Sequence, residues 1–331
     1  MAPLRLSFAC GDYDRTRALL EETIRPDGIE LSYLRLPVEE TFFRMMRYQE
    51  FEVAELSLSS YVLSIRADGG SPFVALPVFP SRMFRHGSLY CNTDAGISRP
   101  EDLRGKVVGT PEYQLTAGVW MRGILGDRHG VPFDSVIYRT GGQETPGRIE
   151  KSSVTLPDSV RISAIPSDRT LSQMLADGEI DALCTPRVPS SFVAGDPRVR
   201  RVFPDVVAAE KEYYAATGIF PIMHVVVVRR DVYERHPWVA QSLYKALLAA
   251  RQEAYQQLYD TSALRFMLPW LIPQLEEARS LLGNDFWSYG LNGNRGTLAT
   301  FLRYHHEQGL SPRRLEPKDL FAPETFESFK I

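Results

Sequence analysis

The sequence has few cysteines and no large excess of charge of either sign. Its three cysteines, Cys10, Cys91 and Cys184, are odd in number and far apart, which argues against a disulfide framework and a cysteine-rich metal site. The 38 lysines and arginines are balanced by 41 aspartates and glutamates, giving a formal net charge of -3. A chain so evenly charged lacks the basic surface that nucleic acid requires, so we expect no nucleic-acid partner.

Long apolar runs and familiar catalytic signatures are also missing. No run reaches the length of a membrane-spanning helix, and Arg5 and Asp12 interrupt the first residues before they reach the length of a signal peptide. We therefore expect a cytoplasmic protein with reduced thiols and no membrane partner. The patterns HExxH, CxxC, GxSxG, the P-loop and GxGxxG do not occur, which disfavours hydrolase, nucleotide-binding and dinucleotide-binding functions.

What is present is an alternation of strands and helices over 331 residues, a length that favours two domains over a single core. Apolar runs separated by amphipathic segments and by Pro or Gly predict an α/β protein. The predicted strands are residues 4–9, 29–36, 53–58, 73–79, 88–91, 106–109, 135–138, 161–165 and 180–184. Residues 144–160 have little periodicity and are expected to form an excursion or a hairpin.

The domain organisation follows from a restart of this pattern after residue 88 and from a C-terminal region that is entirely helical. We predict a discontinuous first lobe, residues 1–88 plus 228–331, that carries the C-terminal helices. The second lobe, residues 89–227, is then an insertion, and two strands cross between the lobes.

A cationic cluster lies within residues 73–92, between two predicted strands. Ser81, Arg82, Arg85 and His86 follow Pro80, which cannot donate to a sheet ladder and so marks a strand end. Two guanidinium groups and an imidazole at a strand exit suit an anionic ligand. The alternative is a solvated basic turn.

Other polar groups also follow predicted strands, where ligands bind in open α/β sheets. We predict that Thr110 and Glu112 begin a helix whose free amides hold a carboxylate, with Thr116 one turn further in. A plain helix cap is the alternative for Thr110 and for the serine cluster formed by Ser57, Ser59 and Ser60. Further candidate ligand-binding residues are Ser57, Ser59, Ser60, Gly142, Gln143 and Arg187.

Two histidines are candidates for proton transfer near neutral pH. His86 and His224 each lie beside a strand that is expected to cross between the lobes. The alternative for each is a histidine that only packs in the core or at a hinge.

The whole pattern resembles the type II periplasmic binding protein fold, in which a central cleft separates two doubly wound lobes. The strings that carry the resemblance are LSFACGDYDRT, LPVEETFFRM, VAELSLSSY, EDLRGKVVGTPEYQLTAG, MLADGEIDAL and VVVVRRDVYERHPWV. More specific strings resemble the 4,5-dihydroxyphthalate decarboxylase family: FACGDYDRT, AELSLSSYVLS, PVFPSRMFRH, GTPEYQLTAGVW, TGGQETPGR, GIFPIMH and FAPETFESFKI. This resemblance implies a cytoplasmic lyase of phthalate breakdown that releases protocatechuate and CO2 without a cofactor or metal.

The resemblance also implies roles for the candidate residues. The ring carbon must be protonated before CO2 leaves, with His86 or His224 as the donor. Asp12 or Tyr13 would then deprotonate or hydrogen-bond the phenol of the substrate. Arg82 and Arg85 would hold its carboxylates. The expected partner is a small aromatic carboxylate, and the sequence leaves a homo-oligomer open. Two alternatives are a solute-binding protein for an aromatic acid and a biosynthetic enzyme that consumes its own histidine.

Overall fold

The computed structural model describes residues 2–148 and 154–326 of the chain. These residues divide into two compact units. Unit 1 is formed by Met1–Arg82, Ile222–Ala299 and Leu315–Ile331, and unit 2 by Met83–Pro221 and Thr300–Arg314, each over its described residues. The predicted α/β class is confirmed, since each unit has a mixed sheet with helices packed beside it.

Unit 1 is built on five strands in the order β2-β1-β3-β11-β4. Their bounds are β1 Leu4–Cys10, β2 Ile29–Arg35, β3 Val53–Ser57, β4 Phe73–Leu76 and β11 His224–Arg229. Strand β1 is parallel to β2 and β3, whereas β11 runs antiparallel between β3 and β4. The strand that comes last in the chain therefore lies inside the sheet.

The helices that lie wholly within unit 1 each bury at least one residue. They are α1 Asp14–Leu20, α2 Val38–Tyr48, α3 Leu58–Ser64, α8 Arg230–Arg235, α9 Trp238–Leu258 and α10 Leu271–Leu282. In α9 the buried residues Val239, Leu243, Leu247, Ala250 and Ala254 recur every three or four positions, and this helix packs on α1. Pro237 separates α8 from α9 because it cannot donate within a helix.

Unit 2 has a sheet of six strands in the order β10-β5-β9-β6-β7-β8. Their bounds are β5 Leu89–Asn92, β6 Val107–Thr110, β7 Ile137–Thr140, β8 Arg161–Ala164, β9 Ala182–Cys184 and β10 Val199–Arg201. Strands β6 to β9 are parallel, and β5 and β10 add an antiparallel edge. The helices of this unit are α4 Thr116–His129, α5 Leu171–Ala176, α6 Ser190–Val193 and α7 Val206–Thr217.

The C-terminal helix α11, Arg295–Glu307, contributes to both units, whereas the sequence predicted that residues 228–331 all belong to the first. Within unit 2 the rings of Phe301 and Tyr304 contact Trp120, and the Tyr304 hydroxyl donates to Asp127 at 2.6 Å. These contacts hold Thr300–Arg314 in unit 2.

One other predicted element differs from the structure, and one is described only in part. Helix α4 begins at Thr116, so the prediction that Thr110 and Glu112 open it was wrong. The predicted excursion at residues 144–160 is described only in part, because residues 149–153 lie outside the described residues. Over residues 2–148 and 154–326, no helix combines the length and the apolar character needed to span a membrane.

Candidate active site

A buried carboxylate organises the polar residues of unit 1. Glu55 lies on β3 among apolar neighbours, and none of its surface is exposed. Its Oε1 accepts hydrogen bonds from the Tyr13 hydroxyl at 2.7 Å and from Nδ1 of His224 at 2.6 Å. Its Oε2 accepts from the Gly11 amide at 3.0 Å and from the Cys10 thiol at 3.5 Å. A buried charge is tolerated only when it is paired in this way.

The strand order explains why residues so distant in sequence meet at Glu55. Strand β3 lies between β1 and β11, so the loop after β1 and the start of β11 both reach it. His224 pairs with Ser57 across the sheet, two positions beyond Glu55. A Cβ on Gly11 would lie 2.8 Å from the Tyr13 ring, so a larger residue there would displace this ring from its position beside Glu55.

The surroundings of Glu55 favour its ionised form. Burial by itself raises the pKa of the Glu55 carboxyl, but the charge of His224 and the hydrogen bonds from His224, Gly11 and Tyr13 outweigh it, so the pKa is lowered. Burial and the Glu55 charge raise the pKa of the Tyr13 phenol far above its ordinary value. Tyr13 therefore stays protonated and acts as a donor.

His224 is held so that one ring nitrogen is fixed. An ionised carboxylate can only accept, so the Nδ1 that contacts Glu55 carries a hydrogen. The ring of Phe42 packs edge-on against the imidazole, with the centroids 4.8 Å apart. Because Nδ1 is bound to Glu55, Nε2 is the nitrogen left to exchange a proton with a ligand, and the side chain as a whole keeps 16% of its surface exposed.

The remaining residues that the sequence singled out in unit 1 have other partners. Asp12 forms ion pairs with Arg17 and Arg35, at 2.8 and 3.2 Å, and makes no hydrogen bond to Glu55 in the described part of the chain. Ser57 caps α3 by accepting from the amide of Ser60 at 3.4 Å, as the alternative prediction for the serine cluster had it. Ser59 and Ser60 are buried.

Arg82 has a structural environment within unit 1. Its guanidinium is buried, donates to the Ser288 carbonyl at 2.7 Å and to the Asn294 side chain, and lies over the ring of Phe79. Burial lowers the pKa of Arg82 to about 10. These contacts anchor residues 288–294, so they give no support to the predicted role of Arg82 as a carboxylate ligand.

A cation that the sequence prediction missed lies beside Tyr13. The guanidinium of Arg15 stacks between the rings of Tyr13 and Trp287, at 4.2 and 4.4 Å from their centroids. Its Nε donates to the Pro80 carbonyl at 2.5 Å. Arg15 was overlooked because an arginine in the first turn of a helix is ordinarily solvated.

In unit 2, Arg85 and His86 are both buried at the start of the segment that leads into β5. The His86 ring contacts the rings of Phe203 and Tyr213, with centroids 5.1 and 5.3 Å apart. Burial, with a smaller effect of the His129 charge, lowers the pKa of His86 to about 4. Burial also lowers the pKa of Arg85 to about 10. His86 is therefore neutral at pH 7.

The candidate residues near β6 form a separate cluster. The Thr110 hydroxyl donates to the Glu112 carbonyl at 3.3 Å, and Thr116 is the first residue of α4. The Glu112 carboxylate is fully buried and accepts from Nε and Nη2 of Arg148, at 2.9 and 2.6 Å, and from Gln114 at 2.7 Å. Glu112 is thus an ion-pair partner rather than part of a helix terminus that could hold an anion.

The loop after β7 is tightly packed. A Cβ on Gly142 would lie 1.8 Å from the Thr145 carbonyl oxygen, so only glycine fits. The Gln143 side chain accepts from the Thr185 hydroxyl and donates to Glu144 and to the Arg187 carbonyl, at 3.0 and 3.2 Å. Arg187 itself is exposed. Within residues 2–148 and 154–326, no three His, Cys, Asp or Glu side chains are grouped so that they could hold a metal ion.

Comparison with known proteins gives two curated relatives at high similarity. The chain is 46% identical over 331 residues to 4,5-dihydroxyphthalate decarboxylase of Comamonas testosteroni, and the match covers all of both proteins. It is 44% identical over 216 residues to the protein of the same name from Pseudomonas putida, covering 65% of this chain and 83% of the relative. No protein-family model matches the chain.

Solved structures with a similar fold include two solute-binding proteins. The alkanesulfonate-binding protein SsuA from Xanthomonas axonopodis pv. citri, bound to MOPS, has a TM-score of 0.54 at 10% identity, covering 97% of this chain and 99% of its own. The aliphatic sulphonate binding protein SsuA from Escherichia coli has a TM-score of 0.53 at 12% identity, covering 99% and 96%. At such low identity these matches show the fold alone, and they confirm the predicted periplasmic binding protein-like class.

Proposed function

Because this chain belongs to the 4,5-dihydroxyphthalate decarboxylase family, we propose that it removes one carboxylate from a hydroxylated aromatic dicarboxylate as CO2. The substrate we propose is 4,5-dihydroxyphthalate, the compound in the name of both relatives. The dianion takes up one proton and gives CO2 and the monoanion of 3,4-dihydroxybenzoate, protocatechuate. Neither oxidant nor reductant is needed.

The chemistry requires an acid that reaches the ring carbon. Direct loss of CO2 would leave an aryl anion with no stabilisation, so protonation must come first. The hydroxyl para to the departing carboxylate supplies electron density, and the carbon that bears this carboxylate takes the proton. When the C–C bond to CO2 breaks, its electron pair returns to the ring and restores aromaticity.

The observation that carries the proposal is His224 with its Nδ1 fixed on the buried Glu55. We assign the proton donor to Nε2 of His224 rather than to His86. The pKa of His86 is lowered to about 4, so a protonated His86 would be scarce at neutral pH. The Tyr13 hydroxyl donates a hydrogen bond to the Glu55 carboxylate. We therefore assign Tyr13 to holding Glu55 in place, rather than to accepting the proton of the substrate's phenol.

The second carboxylate of the substrate needs a cation. Arg82 already binds Ser288 and Asn294, and the roles predicted from the sequence for Arg85 and Arg187 stay predictions. The predicted cleft, the cytoplasmic location and a homo-oligomer stay predictions.

The test is to incubate the purified protein with 4,5-dihydroxyphthalate in D2O and to follow CO2 and protocatechuate. We expect the two products in equal amounts, with one deuterium at C6 of protocatechuate, the carbon that loses the carboxylate. Phthalate, which has no hydroxyl to supply electrons, should release no CO2. His224→Gln should lower turnover by about 100-fold or more, the usual scale of general acid catalysis.

Tight binding of 4,5-dihydroxyphthalate without CO2 release would overturn the proposal. It would instead favour a solute-binding role, which the fold permits.

A further inference from the structure

We propose that Glu55 is a positioning residue that fixes which nitrogen of His224 carries the proton, an inference that rests on the proposed function. Glu55 is fully buried and so does not touch a ligand. Its carboxylate nevertheless contacts the imidazole at 2.6 Å, the shortest of its four hydrogen bonds. Its effect on the reaction must therefore pass through the groups that it holds, and His224 is the one of these to which proton transfer is assigned.

The two oxygens of Glu55 have different kinds of partners. At Oε2 one partner is the Gly11 amide, a backbone N–H that can never accept. At Oε1 both partners can reverse their direction. The Tyr13 hydroxyl can rotate and accept, and Nδ1 of His224 can accept when the hydrogen moves to Nε2.

This asymmetry determines what an amide would do in place of the carboxylate. In a Glu55→Gln variant the NH2 group cannot face the Gly11 amide, so it takes the position of Oε1. Its two hydrogens then point at Tyr13 and at Nδ1 of His224, and the imidazole must adopt the tautomer with hydrogen on Nε2. A doubly protonated ring would direct its Nδ1–H at an N–H group, so the acid form is disfavoured. The variant keeps the volume and the number of hydrogen bonds but reverses the tautomer.

The chain contains a matched control on the same sheet. Glu52, next to β3, accepts from the Ser7 amide at 3.0 Å and from the Ser7 hydroxyl at 2.5 Å. It is likewise a carboxylate held by an amide and a side chain of β1, but it makes no hydrogen bond to a histidine in the part of the chain that the structure describes. Glu52→Gln therefore makes the same chemical change without touching His224.

The experiment combines histidine 15N NMR with kinetics. The protein is labelled with 15N-histidine, and the His224 signals are assigned by their loss in His224→Gln. We expect a protonated Nδ1 in the wild type and in Glu52→Gln, and a bare Nδ1 with a protonated Nε2 in Glu55→Gln. Turnover of Glu55→Gln should fall by about 10²- to 10⁴-fold with little change in KM, the scale expected when a histidine is held in the wrong tautomer.

A Glu55→Gln protein whose His224 keeps the wild-type tautomer would overturn the inference, whatever its activity. So would wild-type turnover in a variant with a reversed tautomer. If Glu55→Gln does not fold, Glu55→Asp serves, because a shorter carboxylate still only accepts. It should keep Nδ1 protonated and retain more turnover than His224→Gln, and a bare Nδ1 there would also refute the proposal. Since the NMR measurement needs no substrate, its outcome is separate from failure of the decarboxylation assay.

Discussion

At the scale of single residues, the buried ionisable groups Glu55 and His86 have opposite environments. Glu55 has four hydrogen-bond donors and is held ionised. His86 is packed among aromatic rings, and its buried Nδ1 has no hydrogen-bond partner within the described residues. Glu55 is therefore stable in its buried site as an anion, whereas His86 is stable in its site only as the neutral imidazole.

His86 should therefore make folding depend on pH. Its pKa is about 4 in the folded protein and about 6.5 in an unfolded chain. The unfolded state binds this proton first, so stability falls as the pH drops from about 6.5 to about 4, by about 3 kcal/mol at most. Urea unfolding of the wild type and His86→Asn, measured at several pH values in this range, checks this.

We expect the wild type to lose stability relative to His86→Asn as the solution becomes more acidic. Glu55 acts in a separate window, because a carboxyl with a lowered pKa loses its contribution only below about pH 4.3. Parallel stability curves for the two proteins between pH 6.5 and 4 would contradict the prediction.

The sequence identified Tyr13 and His224 but not the residue that joins them. Glu55 is a single acidic residue in an apolar strand, and nothing near it in sequence indicates its partners. Those partners come from residues 10–13 and 224, and only the pairing of β3 with β1 and β11 brings them together. The one sequence feature that could have identified Glu55 was its charge, since a carboxylate rarely lies in a buried strand without a partner.

At the scale of elements, the positions of β1 to β9 could be predicted because most of these strands have apolar runs, whereas β10 and β11 were not among the predicted strands. Helix starts depended on contacts distant in sequence. Residues 111–115 stay outside α4 although they have no strong helix breaker after Pro111. The Arg122 side chain donates to the Tyr113 carbonyl at 2.6 Å and lies over the Tyr113 ring. Gln308, far along the chain, accepts from the same arginine at 2.7 Å.

The loop after β7 allows a prediction at this scale. In Gly142→Ala the added Cβ would overlap the Thr145 carbonyl, so the loop that carries Gln143 must move. We expect a loss of about 1–3 kcal/mol in the free energy of unfolding, as for other overpacked sites. Denaturant unfolding measures it.

Gly296→Ala is the matched control for this change. Gly296 lies in α11, a Cβ there would meet no atom within 4 Å, and alanine favours helices. This variant should be as stable as the wild type or slightly more stable. Equal losses in the two variants would show that the packing at Gly142 is not the cause.

At the scale of the whole molecule, the chain passes from one unit to the other four times, after Arg82, Pro221, Ala299 and Arg314. The sequence predicted two passages, because the apolar face of α11 does not reveal which core it joins. A protein truncated after Ala299 loses Phe301 and Tyr304 from unit 2 and the Tyr61–Leu320 hydrogen bond from unit 1.

We expect truncation after Ala299 to destabilise both units and truncation after Arg314 to destabilise unit 1 alone. Hydrogen exchange followed by mass spectrometry distinguishes the two, with peptides from β6 reporting on unit 2 and peptides from β3 on unit 1. Full protection of β6 in the shorter protein would contradict the assignment of Thr300–Arg314 to unit 2.

The position of β11 inside the sheet of unit 1 also determines when this sheet can be completed during translation. Glu55 and His224 are 169 positions apart, which a ribosome making about 5–20 residues per second needs about 8–34 s to translate. During this interval β3 and β4 have no strand between them, and the Glu55 charge has no imidazole to pair with. Burying the Glu55 carboxylate without its partner would cost the nascent chain a large desolvation free energy. The core of unit 1 therefore cannot form until the last third of the chain has been synthesised. Until then its strand edges are exposed, which makes this period the one in which a chaperone has most to protect.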